Sequence, residues 1–389
     1  MTTQLIPLLI LINIVVITVI AIRRWEGYYE DMRFAFATLT LLFFAQFLGL
    51  PISLLGSSLA LLAGIYAFNT LHEKGIVERV LAFFATGITL SFVAGLLITY
   101  LIGSVPDLAF ILFLVIIGTA AGMLMHLIRE DAVFTIVGAC MVMWSFIYFG
   151  IEVEVLKVLF AFLFSLILGF ISYRERAIEI TGVLGGTILG MLLIIFGDIR
   201  WFVIIFIFSM LGSIFTRYKF ESKLKAGIAE SKSGIRNYRN IFANGLVGLL
   251  MAVAYGKYHD PVFIVAFLAS FASATGDTLA SEIGQTSHDQ PVMITTFEPV
   301  PPGTDGGITA LGELSALFGA FIIVLAAYIM GMSDGTCFLS ALIGGYLGVN
   351  FDSLLGATLE RDKIIGNDGV NLASTAFAAI VASAIFYII

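Results

Sequence analysis

Three stretches in the second half of this 389-residue chain put oxygen ligands where apolar sequence would otherwise run on. The first is "SATGDTLASEIG", in which Asp277, Ser281 and Glu282 close a long apolar run. An ionisable group buried in such a run is costly, so Asp277 is a functional candidate by default. At about 100° per residue, Ser281 falls about 40° from Asp277 and Glu282 about 140° away, so a straight helix does not aim both carboxylates at one point. Gly276 and Gly284 flank the pair, and opening of the helix at these glycines would reconcile them. The second stretch, "PVPPGTDGGIT", joins three prolines to Gly303, Thr304, Asp305, Gly306 and Gly307. Its glycines allow backbone N–H groups to turn toward an anion near the start of the next helix. The third, "NFDSLLGATLE" followed by "GNDGVNLAS", holds Asp352, Asn367, Asp368 and Asn371, with the two asparagines spaced to share a helix face.

Ligands of this kind suit Mg²⁺, which takes one or two carboxylates and completes its shell with water and phosphate. Asp277, Glu282, Asp352 and Asp368 are the candidate metal ligands. A fourth element, "RYKFESKLKAGIAESKSGIRNYRNIFANG", supplies positive charge. Its Lys219, Lys223, Arg236 and Arg239 are candidate phosphate contacts, with Asn244 at the start of the next apolar run. Glycine loops, acidic ligands and a basic loop are the parts that a metal–nucleotide complex needs, and phosphoryl transfer relies on positioning and charge neutralisation. Neither the P-loop pattern nor the protein-kinase signature set is present. Each element also has a plain structural counterpart: a membrane exit for Asp277 and Glu282, an ordinary turn for the glycines, helix caps for Asp352 to Asn371, and attraction to lipid headgroups for the basic loop.

The elements that must position these residues are membrane helices. With 60% hydrophobic and 12% charged residues, the chain is too apolar for an ordinary soluble protein. Apolar runs predict an all-α polytopic protein with about 14 transmembrane helices, some broken near the site. They lie near 3–22, 34–54, 56–71, 78–102, 108–128, 132–151, 155–172, 180–197, 201–216, 241–257, 262–280, 308–330, 335–355 and 370–388. The first lacks the flanks of a cleaved signal peptide and is expected to be retained. With the N-terminus outside, all but Lys157, Arg200 and Lys257 of the 20 Lys and Arg fall on inside loops or their edges. The positive-inside rule then puts both termini outside and all four elements at the cytoplasmic face of a cell membrane. The net charge of −7 argues against a nucleic-acid partner. The two cysteines imply neither a disulfide framework nor a zinc site. "GGTILG" and "GGYLG" read as places of close helix packing. Residues 1–150 hold no charged group deep in a span, so the chain divides into N-terminal membrane helices over 1–160 and a catalytic membrane domain over 161–389 containing the basic loop 217–240.

Taken in order, "GDTLASEIG", "PPGTDGGIT", "FDSLLGATLE" and "NDGVNLAST" resemble the polytopic membrane family that includes plant phytyl-phosphate kinase and transmembrane protein 19, over residues 165–389. The spacing of Asp277, Thr278, Ala280 and Gly284 is also similar to a stretch of the membrane CTP-using enzymes that make CDP-diacylglycerol. The resemblance implies phosphorylation of an isoprenyl monophosphate to the diphosphate, with CTP or a related nucleoside triphosphate as donor and membrane lipids around it. Two other functions compete. A transporter or flippase of an anionic lipid or small solute would place its polar groups near the bilayer midplane at a repeat interface. A CTP-dependent nucleotidyltransferase acting on a lipid phosphate would share the same nucleotide contacts.

Overall fold

The computed structural model describes residues 49–147, 149, 151–219 and 235–389. Among them are twelve α-helices, and ten helical segments are long and apolar enough to cross a membrane. The span expected at 3–22 lies outside the described residues. The one expected at 34–54 needs correction at its end, because Gly49 takes a left-handed φ of 92° and Pro51 is the extended N-cap of a new helix. Proline fits there because it has no N–H to lose and its φ is already set.

The chain forms two compact units, residues 1–163 and 164–389. In the first, α1 (Ile52–Thr70), α2 (Ile76–Leu101), α3 (Leu108–Ile128) and α4 (Ala132–Ile147) pack through small residues. A Cβ on Gly64 would lie 3.1 Å from the Phe83 carbonyl, and the Ser57 hydroxyl donates to the Ser91 carbonyl at 3.0 Å. His126 is buried against the rings of Phe68 and Phe83. The boundary between the units falls inside α5 (Val155–Arg174).

The second unit continues with α6 (Ile180–Phe196), α7 (Ile199–Arg217), α8 (Tyr238–Tyr258), α9 (Pro261–Gly284), α10 (Ala310–Ile329), α11 (Gly335–Leu355) and α12 (Asn367–Ile388). Its core is α9, which touches α7, α8, α10, α11 and α12 and is buried without interruption from Val265 to Gly276. Polar caps start these helices: Asp260 accepts from the Val262 N–H ahead of α9, and Thr309 accepts from the Gly312 N–H in α10. Asn237 and Asn240 form a reciprocal cap at the start of α8.

Small residues set how closely the helices approach. A Cβ on Gly345 would meet Ala272 at 2.5 Å, and one on Gly348 would meet the Ser273 hydroxyl at 2.5 Å. Across the α9–α10 crossing, a Cβ on Gly319 would come within 2.9 Å of the Gly276 Cα. Such contacts exclude any larger side chain and let backbones pack directly. They also correct the expected opening of α9. Gly276 is held between Ala316 and Val349, and the helix runs unbroken to Gly284. Irregularity occurs instead at the end of α11, where a single π turn spans Gly356–Glu360.

A Gly319→Val substitution must therefore push α10 off α9. Overpacking of this kind costs about 1–3 kcal/mol, so the thermal transition of the detergent-purified protein should fall by several degrees. Gly335→Ala, at a position with open space around it, should leave that transition unchanged.

Candidate functional site

One cavity of about 200 Å³ opens where the C-terminal ends of α9 and α11 meet the N-terminal ends of α10 and α12. α9 contributes Asp277, Ala280, Ser281 and Gly284, and α11 contributes Val349, Asp352 and Ser353. Asp277 and Asp352 sit side by side, close enough for a hydrogen bond between their carboxyl groups. Two such groups cannot both carry unrelieved charge at short range, so the pair calls for a shared proton or a cation. The Ser374 hydroxyl, from α12, donates to Asp352 Oδ2 at 2.8 Å.

The segment from Pro291 to Thr309 lies against this pair and is held together by its own hydrogen bonds. Strands β1 (Val292–Met293) and β2 (Gly307–Ile308) pair antiparallel, and the Ile294 N–H donates to the Gly306 carbonyl at 3.0 Å. The Gly307 N–H is used within the segment, on the Thr304 carbonyl at 2.9 Å. Gly303 and Gly306 adopt φ of 81° and 76°, where glycine is least strained. At Gly306 there is a second reason for glycine: a Cβ there would run into Ala357 in the π turn. That contact docks the glycine loop onto the end of α11, beside Asp352.

The structure thus gathers Asp277, Ser281, Gly303, Thr304, Asp305, Gly306, Gly307, Asp352 and Asn367 around one space. Glu282 is buried and is not among the lining residues, as the 140° offset on an unbroken helix requires. Asp368 accepts from the Asn240 side chain at 3.4 Å, tying the start of α12 to the start of α8. Asn371 is buried, with its backbone carbonyl taken by the Thr375 hydroxyl at 2.9 Å. Among the described residues no group of three or more His, Cys, Asp or Glu forms a closed metal cage.

The described basic candidates lie elsewhere. Among the described residues no Lys or Arg lines the cavity. Arg236 pairs with the backbone of Ala177 and Glu179 and lays its guanidinium against Gly212 and the Phe208 ring. Arg239 is exposed beside Tyr238, and Lys219 lies over the Tyr218 ring. Asn244 donates back to the Asn240 carbonyl at 2.9 Å, while Lys223 is outside the described residues.

Three lining carboxylates, Asp289, Glu313 and Glu360, were missed in the sequence. Glu313 lies in the first turn of α10 and accepts from the Tyr346 hydroxyl at 2.8 Å. Glu360 closes the π turn, within electrostatic reach of Asp305 and Asp352. Glu313 falls inside the apolar run 308–330, so the rule that singled out Asp277 could have found it. Glu360 stands in the charged run "ERDK", where nothing marked it as different from a solvated neighbour.

Residues 163–379 match the family described as integral membrane protein DUF92. The uncharacterized membrane protein MJ0933 of Methanocaldococcus jannaschii is 33% identical over 239 residues, 60% of this chain and 98% of its own length. Protein PGR of Arabidopsis thaliana is 28% identical over 55% of this chain and 85% of its own length. Protein VTE6, chloroplastic, from the same plant, is 28% identical over 46% of this chain and 57% of its own length. These matches agree with the resemblance carried by the four ordered motifs. No solved structure matches the chain.

The Gly306 contact yields a direct test. Gly306→Ala should lift the 291–309 segment from the π turn, and limited proteolysis should then cut that segment faster than in the unsubstituted protein. Equal cleavage rates would contradict the docking contact.

Proposed function

The chain belongs to the integral membrane protein DUF92 family, and on that premise we propose that it is an isoprenyl-phosphate kinase embedded in the membrane. It moves the terminal phosphoryl group of CTP or another nucleoside triphosphate onto a phytyl- or geranylgeranyl-type monophosphate. The observation that carries this reading is the cavity in which Asp277 and Asp352 meet beside a glycine loop, at one end of an otherwise apolar group of helices. The acceptor phosphate is anionic near neutral pH, so the reaction asks for alignment and charge neutralisation and needs no nucleophilic side chain.

The donor set suits Mg²⁺: its atoms are oxygens, and a hard cation takes one or two carboxylates and leaves its other positions to water and phosphate. Asp277 and Asp352 would hold the ion, and bound there it would neutralise phosphate charge. Ser281, Thr304 and Asn367 are the neutral groups that can orient phosphate oxygens around it. Glu282 and Asp368 take no part in this arrangement. Arg239, at the start of α8 and near the charge of Asp368, is a described cation that would attract the nucleotide. The prenyl tail would lie along α10, whose Leu314, Phe318 and Phe321 form an exposed apolar face next to Glu313. The Lys and Arg distribution supports a cytoplasmic site in a cell membrane, with both termini outside.

Incubating purified protein with Mg²⁺, CTP or ATP and geranylgeranyl monophosphate should give prenyl diphosphate and nucleoside diphosphate. Release of pyrophosphate would replace the kinase with a nucleotidyltransferase. No nucleotide turnover, with solute uptake into liposomes, would replace it with a transporter. Asp277→Asn and Asp352→Asn should each lower kcat by about 100-fold or more, the scale of losing one electrostatic contact to a transition state.

A further inference from the structure

We propose that Ser374 is a positioning residue, whose hydroxyl fixes the Asp352 carboxylate in the orientation that meets Asp277. Ser374 is buried in α12, and its oxygen lies 2.8 Å from Asp352 Oδ2, across the interface between α12 and α11. The same oxygen is 3.1 Å from the Asn371 carbonyl, the usual resting place for a serine hydroxyl inside a helix. A hydroxyl has one proton to give, and a charged acceptor holds it more strongly than a neutral carbonyl. The Asn371 carbonyl does not depend on Ser374, because the Thr375 hydroxyl donates to it at 2.9 Å. Removing the Ser374 hydroxyl therefore leaves the backbone of α12 satisfied and takes a partner only from Asp352.

The consequence for a cation follows from how ligands are held. A carboxylate that must be fixed at the moment of binding loses affinity to its own rotational freedom, and a neighbour that fixes it beforehand removes that cost. Ser374 and Asp277 approach Asp352 from different helices, so α12 and α9 together hold a side chain that belongs to α11. None of the sequence motifs marks this role, since Ser374 reads as one more small residue in "NLAST".

This inference rests on the divalent-cation reading above, and the experiment separates the two. Mn²⁺ binding to the detergent-purified protein is titrated by electron paramagnetic resonance without nucleotide, for the unsubstituted protein, Asp352→Asn, Ser374→Ala, Ser374→Cys and Ser374→Thr. Ser374→Ala should weaken Mn²⁺ binding by about 10- to 100-fold, with the thermal transition retained. Ser374→Thr, which restores the hydroxyl, should bind close to the unsubstituted protein, and Ser374→Cys, a weak donor of similar size, should fall between. Full affinity in Ser374→Ala, or a folded Ser374→Thr as weak as Ser374→Ala, would overturn the positioning role. If Ser374→Ala does not fold, full affinity in Ser374→Cys would overturn it equally. Should Mn²⁺ bind the unsubstituted protein no better than Asp352→Asn, the cation reading itself fails and the positioning role goes with it.

Discussion

The second unit depends on one constraint: two carboxyl groups, on two different apolar helices, must come together where water is scarce. Like charges at short range repel far more strongly in such surroundings than in water. The fold reaches this arrangement through helix register. Ser273 meets Gly348, and Gly276 meets Val349. One helical turn beyond Ser273 and Gly348 stand Asp277 and Asp352, so the glycine contact carries the two carboxyl groups to the same level. The helices run in the same direction here, which is why adding four to each number lands on the next facing pair.

The neighbouring helices run the other way, and their contacts extend the register. Gly344 packs against Ala382 and Gly348 against Ala378, so Ser374, one turn further back along α12, arrives at Asp352. On the other flank Gly319 faces Gly276 and Gly312 faces Gly284, which sets Glu313 at the rim of the same cavity. The glycines and alanines are thus the means by which the polar groups are placed. In a membrane, where lipid competes equally with apolar side chains, close backbone approach is the principal way to fix such a register.

Much of this was legible before any coordinates. Apolar runs marked the helices from residue 56 onward, and the close-packing reading of "GGYLG" matches the Gly344, Gly345 and Gly348 contacts. Asp277 and Asp352 stood out because a carboxylate in an apolar run is rare. What the pattern could not provide was partnership across helices. Glycine has two uses, hinge and contact, and the choice at Gly276 depends on α10 and α11, which lie far away in sequence. Among the described basic candidates, Arg236 was hard to read for a similar reason. Arg236 looks solvated among charged neighbours, yet Gly212 on α7 leaves a space that its guanidinium fills. Single-sequence periodicity carries the face of a helix but not what that face meets.

The depth of the pair bears on the kind of substrate the unit can serve. Asp277 lies seven residues from the end of α9, roughly 10 Å along the helix axis. Asp352 lies one short turn from the end of α11, before the π turn. The carboxyl pair is therefore below the helix ends but well short of the middle of a ~30 Å hydrocarbon layer. Alternating access asks for a site near that middle, reachable in turn from either side. A lipid phosphate asks for something else: its headgroup sits at the boundary while its tail stays in hydrocarbon, and a water-soluble donor approaches from one side. A polar cavity at helix ends, roofed by a self-bonded loop and flanked by the exposed apolar face of α10, suits the second requirement, which supports the proposed lipid-phosphate reading over alternating access.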